Sequence, residues 1–384
     1  MVPYRKPMAG VGGKQDSWLL NASVYFLSGL LLGSGLVVGG VTDSRTPNGM
    51  MNLNLLGTPH WNPALLVLFM TALSISLLTS QVIKPMLNKP LLASSFNIPT
   101  NTKVDARLVV GCVLFGLGWA LSGLCPGPAV VAASSGDMDI LQLFAFMLLG
   151  MCLAKMMLVR GESNKMAKFT AYKMTILTLA LCLIVVLYDD TQAQGSGMGG
   201  VGSRLAESEF MRNLRGGSFP PDRNLLHPLV GGVLVGCSVA GMLLSIGEIL
   251  GVSGIISGLY STQTSLSSKL QRLLFVAGLF TAGILVPYMI GASPSAVSAT
   301  TSSVAPIRNY WKRPRILYII SGLLVGFGTC LGSGCTSGHG LAGLSRISKR
   351  SIVAVALFFG TNMLVSSLAF TLVGYGSEWH TSSV

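Results

Sequence analysis

Charged residues are scarce in this sequence. Asp, Glu, Lys and Arg make up 10% of its 384 residues, whereas about 25% is usual for soluble domains. Charge-free runs at 17–42, 108–136 and 316–345 each exceed the roughly 20 residues that cross a bilayer. The composition therefore excludes an ordinary soluble protein. It predicts an all-α polytopic protein whose surroundings are the lipid bilayer.

Several functional signatures are missing as well. No GxxxxGK[ST] loop occurs, so an intrinsic ATP motor is not expected. The net charge is +13, but the basic clusters are short, scattered and not interleaved with aromatic residues, which argues against nucleic-acid binding. They lie between apolar runs, as in proteins anchored by positive charge at one membrane face. We expect a multi-pass protein of the plasma or inner membrane, with an organelle membrane as the alternative.

The cysteines and the N-terminus exclude a secreted protein. The seven cysteines fall mostly inside apolar runs and do not resemble a disulfide framework. The first apolar run, to Val41, is longer than the roughly 7–15 residues of a signal-peptide core. We therefore interpret it as a retained first span.

Nine apolar segments define the predicted organisation. A tail (1–17) precedes a first transmembrane repeat with a joining span (18–188), a polar, glycine-rich linker (189–227), a second repeat (228–375) and a second tail (376–384). The linker has no sustained helical or strand period and reads as flexible. The nine segments are 18–41, 63–83, 108–133, 139–158, 172–188, 228–252, 271–291, 316–338 and 351–375.

A duplicated motif identifies the repeats. GLGWALSGLCPGP (116–128) aligns without gaps on GFGTCLGSGCTSG (326–338), and the flanking segments keep nearly the same offset of 210. Transporters are commonly built from two such halves, with the binding site at their interface. The charges of the connecting loops conflict about whether the second repeat is inverted, so the sequence leaves its orientation open.

Both copies of the motif are expected to be broken or re-entrant helices. Their charge-free runs are longer than one span and shorter than two, and glycines, with Pro126 and Pro128, interrupt them. Irregular backbone at membrane depth is tolerated where it lines a cavity, and a half-helix that starts there offers free N–H groups to an anion. The candidate substrate-binding residues are Cys125, Cys335, Gly123, Ser122, Ser333, Gly334, Thr336, Ser337, His339 and Cys330.

Cys125 and Cys335 occupy equivalent places and are predicted to face each other across the repeat interface. A neutral thiol is a weak donor and a polarisable acceptor, which suits a sulfur-bearing ligand better than a hard anion. Other interpretations are small core side chains, a metal site at Cys330, Cys335 and His339, or a Cys330–Cys335 redox pair. Glu248 either faces the bundle interior or marks a break in its segment.

The same motifs resemble those of the YeeE/YedE sulfur-transport family. GLGWALSGLCPGPAVV (116–131) and GLLVGFGTCLGSGCTSGHGLAGLSRISKRS (322–351) are similar to its two Gly/Cys signatures. LVVGGVTDSRTPNGMMNL (36–53) and HWNPAL (60–65) resemble the opening of a small bacterial half-protein of this group, and 228–375 resembles its companion. The chain thus resembles a fusion of two half-size members.

The resemblance implies full spans plus half-membrane helices, import of thiosulfate or a similar sulfur compound, and contact of Cys125 and Cys335 with the substrate. Two positions depart from the family: residues 39–42 hold no cysteine where some members have one, and Glu248 stands where many have arginine. We predict a transporter of a sulfur-containing anion, with no catalytic residue, cofactor or metal. A sulfur-accepting protein is a further expected partner.

Two other functions are considered. One is a membrane sulfur-handling or thiol-redox protein that uses Cys125 or Cys335 covalently, although only His339 and Arg346 are near in sequence to activate a thiol. The other is a transporter of bulk anions or metals, which would not need the two thiols.

Overall fold

A computed structural model describes residues 14–58, 61–159, 172–185, 225–261, 264–289 and 315–372. The predicted linker 189–227 lies outside these ranges except for its last three residues, and so does the predicted C-terminal tail. The helices are α1 (Lys14–Val38), α2 (Arg45–Met51), α3 (Ala64–Leu78), α4 (Ala106–Ser122), α5 (Pro126–Ala133), α6 (Met138–Val159), α7 (Tyr172–Val185), α8 (Leu226–Ile246), α9 (Val252–Leu259), α10 (Leu266–Met289), α11 (Arg315–Leu331), a π-helix hereafter called the π segment (Thr336–Gly343), and α12 (Lys349–Leu372).

The predicted all-α membrane fold is confirmed. Seven helices of the described chain are long and apolar enough to cross a bilayer. An eighth candidate is the pair formed by α11 and the helical residues that follow it, which bend by 43° at the break. The fifth apolar segment forms α7, which is shorter than a full span.

Both predicted breaks are present. α4 ends at Gly123, whose φ of +72° is the left-handed conformation in which glycine commonly ends a helix, and α5 starts three residues later. In the second repeat Ser333, 210 residues further on, takes the equivalent conformation with a φ of +62°. Because only a short, irregular turn separates the helical pieces, α5 and the π segment are half-helices that start inside the bundle.

The structure contains a second pair of breaks. The sequence predicted that the first segment ends at 41 with no half-helix after it, and a break at Glu248 was one of two interpretations of the other segment. α1 is followed by Gly40 and the half-helix α2, and α8 is followed by Gly247 and the half-helix α9. Both glycines have a positive φ, +69° and +71°. Four half-helices therefore begin inside the protein: α2, α5, α9 and the π segment.

The two repeats are inverted relative to each other. Along the contact of α4 with α11, Gly111 lies against Gly332, and Gly118 lies against Val325, so the helices are antiparallel. α1 and α8 also cross antiparallel, and the hydroxyl of Ser238 donates to the carbonyl of Ser28, its equivalent 210 residues earlier, at 2.6 Å. Equivalent antiparallel helices that meet in this way place the pseudo-two-fold axis in the membrane plane.

The outer helices are exchanged between the repeats. α10 packs on α1 and α12 packs on α4, so two helices of the second repeat flank the central helices of the first. Conversely, α3 packs on α8 and α6 packs on α11. Each repeat thus completes the packing of the other.

Asp105 fixes the start of α4. Its carboxylate accepts the N–H of Leu108 at 3.2 Å, as a helix N-cap does, and pairs with the guanidinium of Arg350 on α12 at 3.1 Å. Burial raises the pKa of Asp105, but the hydrogen bonds from Leu108 and Arg350 outweigh this effect and hold that pKa below its ordinary value. This contact ties the two repeats together where a span begins.

Candidate functional site

A cavity of about 60 Å³ lies at the interface of the two repeats. The first residues of α5, α9 and the π segment reach it, so three half-helices start at one space. Most of its wall is apolar. The lining residues are Leu32, Leu36, Val41, Pro47, Leu65, Leu68, Phe69, Trp119, Gly123, Cys125, Gly127, Pro128, Val235, Val252, Thr336, Ser337, Leu341 and Phe359.

Cys125 is the thiol that lines this cavity. It is the residue immediately before α5 and is partly buried. The hydroxyl of Thr336, the first residue of the π segment, donates to its sulfur at 3.2 Å. The two Gly/Cys motifs therefore meet directly, through a hydroxyl of one repeat and a thiol of the other.

Cys335 is placed differently from its equivalent. It is 1% exposed and does not line the cavity. Its sulfur lies 3.2 Å from the hydroxyl oxygen of Ser337, which also accepts the N–H of Val252 at the start of α9. The predicted pair of facing thiols is thus bridged by the π segment: Thr336 binds Cys125, and Ser337 binds Cys335.

The backbone of the two half-helices offers unequal numbers of N–H groups. The first amides of a helix have no partner within that helix. In α5, however, two of the first three residues are Pro126 and Pro128, so Gly127 provides the one N–H among them. The π segment starts with Thr336, Ser337 and Gly338, all of which carry an N–H. Donors are therefore concentrated on the side of the second repeat.

Four other predicted residues shape the two turns. The buried Ser122 hydroxyl lies 3.0 Å from the carbonyl of Gly118 and stays within its own repeat. Gly123 lines the cavity and lies against Ser44, which precedes α2. Ser333 is an exposed residue of the second turn, and Gly334 lies beside the imidazole of His339.

His339 stabilises the second turn through hydrogen bonds of its ring. Its Nε2 lies 3.2 Å from the carbonyl of Gly332, and its Nδ1 lies 3.0 Å from the hydroxyl of Ser351 on α12. A carbonyl only accepts, so the geometry places the ring proton on Nε2 and makes Nδ1 the acceptor of the Ser351 hydroxyl. His339 does not line the cavity, and its predicted contact with substrate stays a prediction.

The described residues do not assemble a metal site. No group of three or more His, Cys, Asp or Glu side chains within the described part of the chain is arranged to hold a metal ion. The thiols of Cys330 and Cys335 are both free, and Cys330 lies close enough to Lys155 on α6 to interact with its charge.

Aromatic side chains form a wall beside the cavity. Trp119 stacks on Phe115 with a centroid separation of 5.8 Å, and its ring meets the edge of Phe359 at 5.3 Å. Phe359 in turn contacts Phe69 at 5.7 Å. The indole N–H of Trp119 is buried without a hydrogen-bond partner among the described residues. In the sequence, this wall corresponds to the apolar Phe-Phe pair of α12, a pattern that is typical of any buried helix.

Glu248 lies in the connection between α8 and α9, so its segment is broken there. The phenol of Tyr25 on α1 donates to its carboxylate at 2.5 Å. The backbone N–H of Asn97, in the loop between α3 and α4, donates to the carbonyl of Gly247, the residue before Glu248. Glu248 therefore packs within the break between α8 and α9 and is remote in sequence from the Gly/Cys turns.

Comparisons with known proteins place the chain in a family. Residues 20–166 match the profile of a family of unknown function (DUF6691). A "Probable transporter" of Xylella fastidiosa strain Temecula1 is 34% identical over 144 residues, which are 38% of this chain and 95% of the relative. Another "Probable transporter" of that strain is 39% identical over 141 residues, 37% of this chain and 92% of the relative. The chain belongs to this family of probable transporters.

The family match contains the first Gly/Cys turn. The matched range 20–166 spans α1 to α6 and includes Cys125 with the start of α5. The relatives are about the size of one repeat, because more than nine-tenths of each aligns with less than two-fifths of this chain. Their names support membrane transport and specify no substrate.

Proposed function

We propose that the chain transports thiosulfate or a related sulfur-containing anion across its membrane, through a path between the two Gly/Cys turns. The observation that carries this proposal is the meeting of Cys125 and Thr336 in a cavity where three half-helices begin. The name given to the relatives supports transport in general. The sulfur anion rests on the chemistry of the cavity and on the resemblance of its motifs.

The backbone favours an anion in the cavity. The N-terminal end of a helix carries a partial positive charge of about half an electron. The first residues of α5, α9 and the π segment all line the cavity. Because these ends lie in a wall with little water, their attraction for negative charge is weakly screened.

The side chains favour a soft anion over a hard one. The polar groups of the lining are the thiol of Cys125 and the hydroxyls of Thr336 and Ser337, together with the Trp119 indole. So few donors replace the hydration shell of a strongly hydrated ion poorly. A polarisable sulfur atom loses less hydration, and the Cys125 sulfur and the aromatic rings suit it.

The size of the cavity sets a limit on the substrate. A volume of about 60 Å³ compares with roughly 10–15 Å³ for a single water on the same measure. The space therefore suits a small ion with a few waters. Weak contacts with several groups would allow release as well as binding.

The surroundings of Cys125 favour a role without covalent catalysis. An activated thiol needs a neighbouring base or cation, and the described hydrogen-bond partner of its sulfur is the Thr336 hydroxyl. His339, the nearest base in sequence to the other turn, is bound to Gly332 and Ser351. A transporter in the plasma or inner membrane that delivers sulfur to an accepting protein is consistent with this arrangement.

The test is uptake of ³⁵S-thiosulfate by proteoliposomes that contain the purified protein. We expect saturable uptake that excess unlabelled thiosulfate inhibits more strongly than sulfate does. Cys125→Ala, Cys335→Ala and the double variant should reduce it, with the larger single effect at Cys125 because it lines the cavity. Cys112→Ala, a buried thiol outside the cavity, is the matched control.

Two results would contradict the proposal. Undiminished uptake by the double variant would remove both thiols from the mechanism and favour a general anion path. A stable mass increase on Cys125 or Cys335 after incubation with thiosulfate, measured on the intact protein, would favour covalent sulfur handling instead.

A further inference from the structure

A second group of functional side chains surrounds the C-terminal end of α9. Lys155 on α6 donates its ammonium to the carbonyl of Ser257, and Arg272 on α10 donates to the carbonyl of Gly254 at 3.2 Å. The guanidinium of Arg272 also lies against Gly258. Two cations therefore contact the last turns of a helix whose first residue, Val252, lines the central cavity.

These cations have no carboxylate partner among the residues that the structure describes. Within the described part of the chain, neither Lys155 nor Arg272 forms an ion pair, and the Nε of Arg272 is buried without a hydrogen-bond acceptor. Both side chains are partly buried, and a buried cation in a membrane protein is costly unless it is paired, so such residues mark ion pathways. One backbone carbonyl uses one of the three donors of Lys155. The site thus has positive charge and donors in excess of its own acceptors.

A thiol completes the group. Met147 lies against Gly326 where α6 and α11 run side by side, and Lys155 follows two turns later, next to the end of α11. Cys330 is in this last turn of α11 and is partly exposed. The charge of Lys155 acts on its thiol. A soft sulfur atom therefore lies near Lys155, on a helix that packs against α9.

Among the described residues, the first repeat has no equivalent pair of cations. There the C-terminal end of α2 contacts α12 through Ser367, whose hydroxyl accepts the N–H of Leu53 at 2.9 Å. A neutral serine is sufficient to hold a half-helix at this position. Lys155 and Arg272 in the other half therefore supply charge that is not needed to hold a half-helix in place.

We propose that Lys155, Arg272 and Cys330 form a second anion site, hereafter the α9 site, which takes a small anion carrying a polarisable sulfur between one membrane face and the central cavity. Val252, which lines the central cavity, and Ser257, which binds Lys155, lie toward opposite ends of the same half-helix, separated along it by roughly 8 Å at 1.5 Å per residue. The anion pairs with the two cations while its sulfur contacts Cys330. The identity of this anion rests on the proposed function; the charge selectivity of the site does not.

The experiment measures how fast charged thiol reagents modify Cys330 in the intact, purified chain. A sulfonate-bearing methanethiosulfonate is compared with a trimethylammonium-bearing one of similar size, and modification of the Cys330 peptide is followed by mass spectrometry. We expect the anionic reagent to react faster. Lys155→Gln should lower the ratio of anionic to cationic rates by about tenfold, the lower range of electrostatic focusing, and Lys155→Arg should preserve it.

The matched control is Lys349→Gln, which makes the same change in net charge at an exposed lysine and should leave the ratio unchanged. Arg272→Gln provides a second variant, with a similar expected decrease, where Lys155→Gln does not fold. An unchanged ratio in both folded variants would overturn the proposal. So would failure of the anionic reagent to reach Cys330 in the unmodified chain.

The outcomes separate this inference from the proposed function. Charge-selective labelling of Cys330 without any thiosulfate uptake would support the α9 site and refute the thiosulfate substrate. Thiosulfate uptake with equal labelling of Cys330 by both reagents would support the proposed function and refute the α9 site. Protection of Cys330 by thiosulfate, stronger than by sulfate at the same ionic strength, would support both.

Discussion

The hydrogen bond from Thr336 to Cys125 can be isolated with one nearly isosteric change. Thr336→Val keeps the shape of the side chain and removes the hydroxyl that donates to the Cys125 sulfur at 3.2 Å. If this bond positions the thiol in the path, its loss lowers transport in the otherwise unchanged chain. In Cys125→Ala, where the acceptor is already gone, the same change should have no further effect.

The expected magnitude follows from the net value of a hydrogen bond in a folded protein. A contribution of about 0.5–1.5 kcal/mol corresponds to an approximately 2- to 12-fold decrease in initial thiosulfate uptake. Sulfur is a weak acceptor, which favours the lower half of this range. The coupling between the two positions should equal the effect of Thr336→Val alone.

The assay is a double-mutant cycle of Thr336→Val and Cys125→Ala in proteoliposomes. Thiosulfate-induced thermal stabilisation gives a second readout of the same cycle if Cys125→Ala leaves too little uptake. Thr329→Val is the control, because the Thr329 hydroxyl donates to carbonyls of its own helix, at 2.8 Å for Val325, and lines no part of the cavity. It should leave uptake within error of the unchanged chain.

One result would refute this reasoning. If Thr336→Val lowers uptake equally with and without the Cys125 sulfur, the hydroxyl acts on the substrate or on folding, and the bond to the thiol is irrelevant. An equal loss in Thr329→Val would indicate that any buried hydroxyl in this region matters only for stability.

Two further predictions concern stability. Gly123→Ala should lower the free energy of unfolding by about 1–2 kcal/mol or more, because alanine disfavours a positive φ and its Cβ would meet Ser44; Gly127→Ala, in an ordinary conformation, is the control in thermal unfolding. Asp105→Asn keeps the helix cap and removes the charge that pairs with Arg350. Since the pKa of Asp105 is depressed in the folded state, its contribution is present above the ordinary value of 3.8 and is lost as pH falls through the lower folded value. The free energy of unfolding should therefore decrease less between pH 7 and pH 3 in Asp105→Asn, with a difference of about 0.5 kcal/mol or less for this half-exposed pair. Identical decreases in denaturant unfolding at the two pH values would contradict it.

The pattern of residue types in the sequence was sufficient to predict the membrane-spanning helices and the two Gly/Cys breaks. Charge-free runs identify helices that lie in lipid, and glycine with proline identifies the places where a helix stops. The half-helix α2 after Gly40 was not predicted, and the break after α8 was one of two interpretations of Glu248, because neither place carries the Gly/Cys pattern of the other motif. A positive φ at a single glycine leaves little trace in a sequence.

The inverted orientation could not be predicted because it is a property of contacts between helices. The loop charges pointed in both directions, whereas the antiparallel contacts of Gly111 with Gly332 and of Ser28 with Ser238 decide it. Glycines at these positions permit close helix approach. Which helix they approach depends on the whole bundle.

The predicted site residues occupy two kinds of position in the structure. Cys125, Gly123, Thr336 and Ser337 line the cavity, whereas Cys335, Ser122 and His339 lie in the packing around it. Sequence equivalence gave Cys125 and Cys335 the same role, but their surroundings differ: Thr336 contacts the first thiol and Ser337 contacts the second. Lys155 and Arg272 were absent from the prediction, because single cations near segment ends are usually interfacial anchors.

The exchange of outer helices has a consequence for how the two halves are made. α10 and α12 cover the central helices of the first repeat, and α3 and α6 cover those of the second, so neither half has a complete lipid-facing shell by itself. Placing both on one polypeptide fixes their stoichiometry at one to one and makes their assembly independent of the abundance of each half in the membrane. A chain cut within 189–227 would lose this advantage while keeping every helix contact described above.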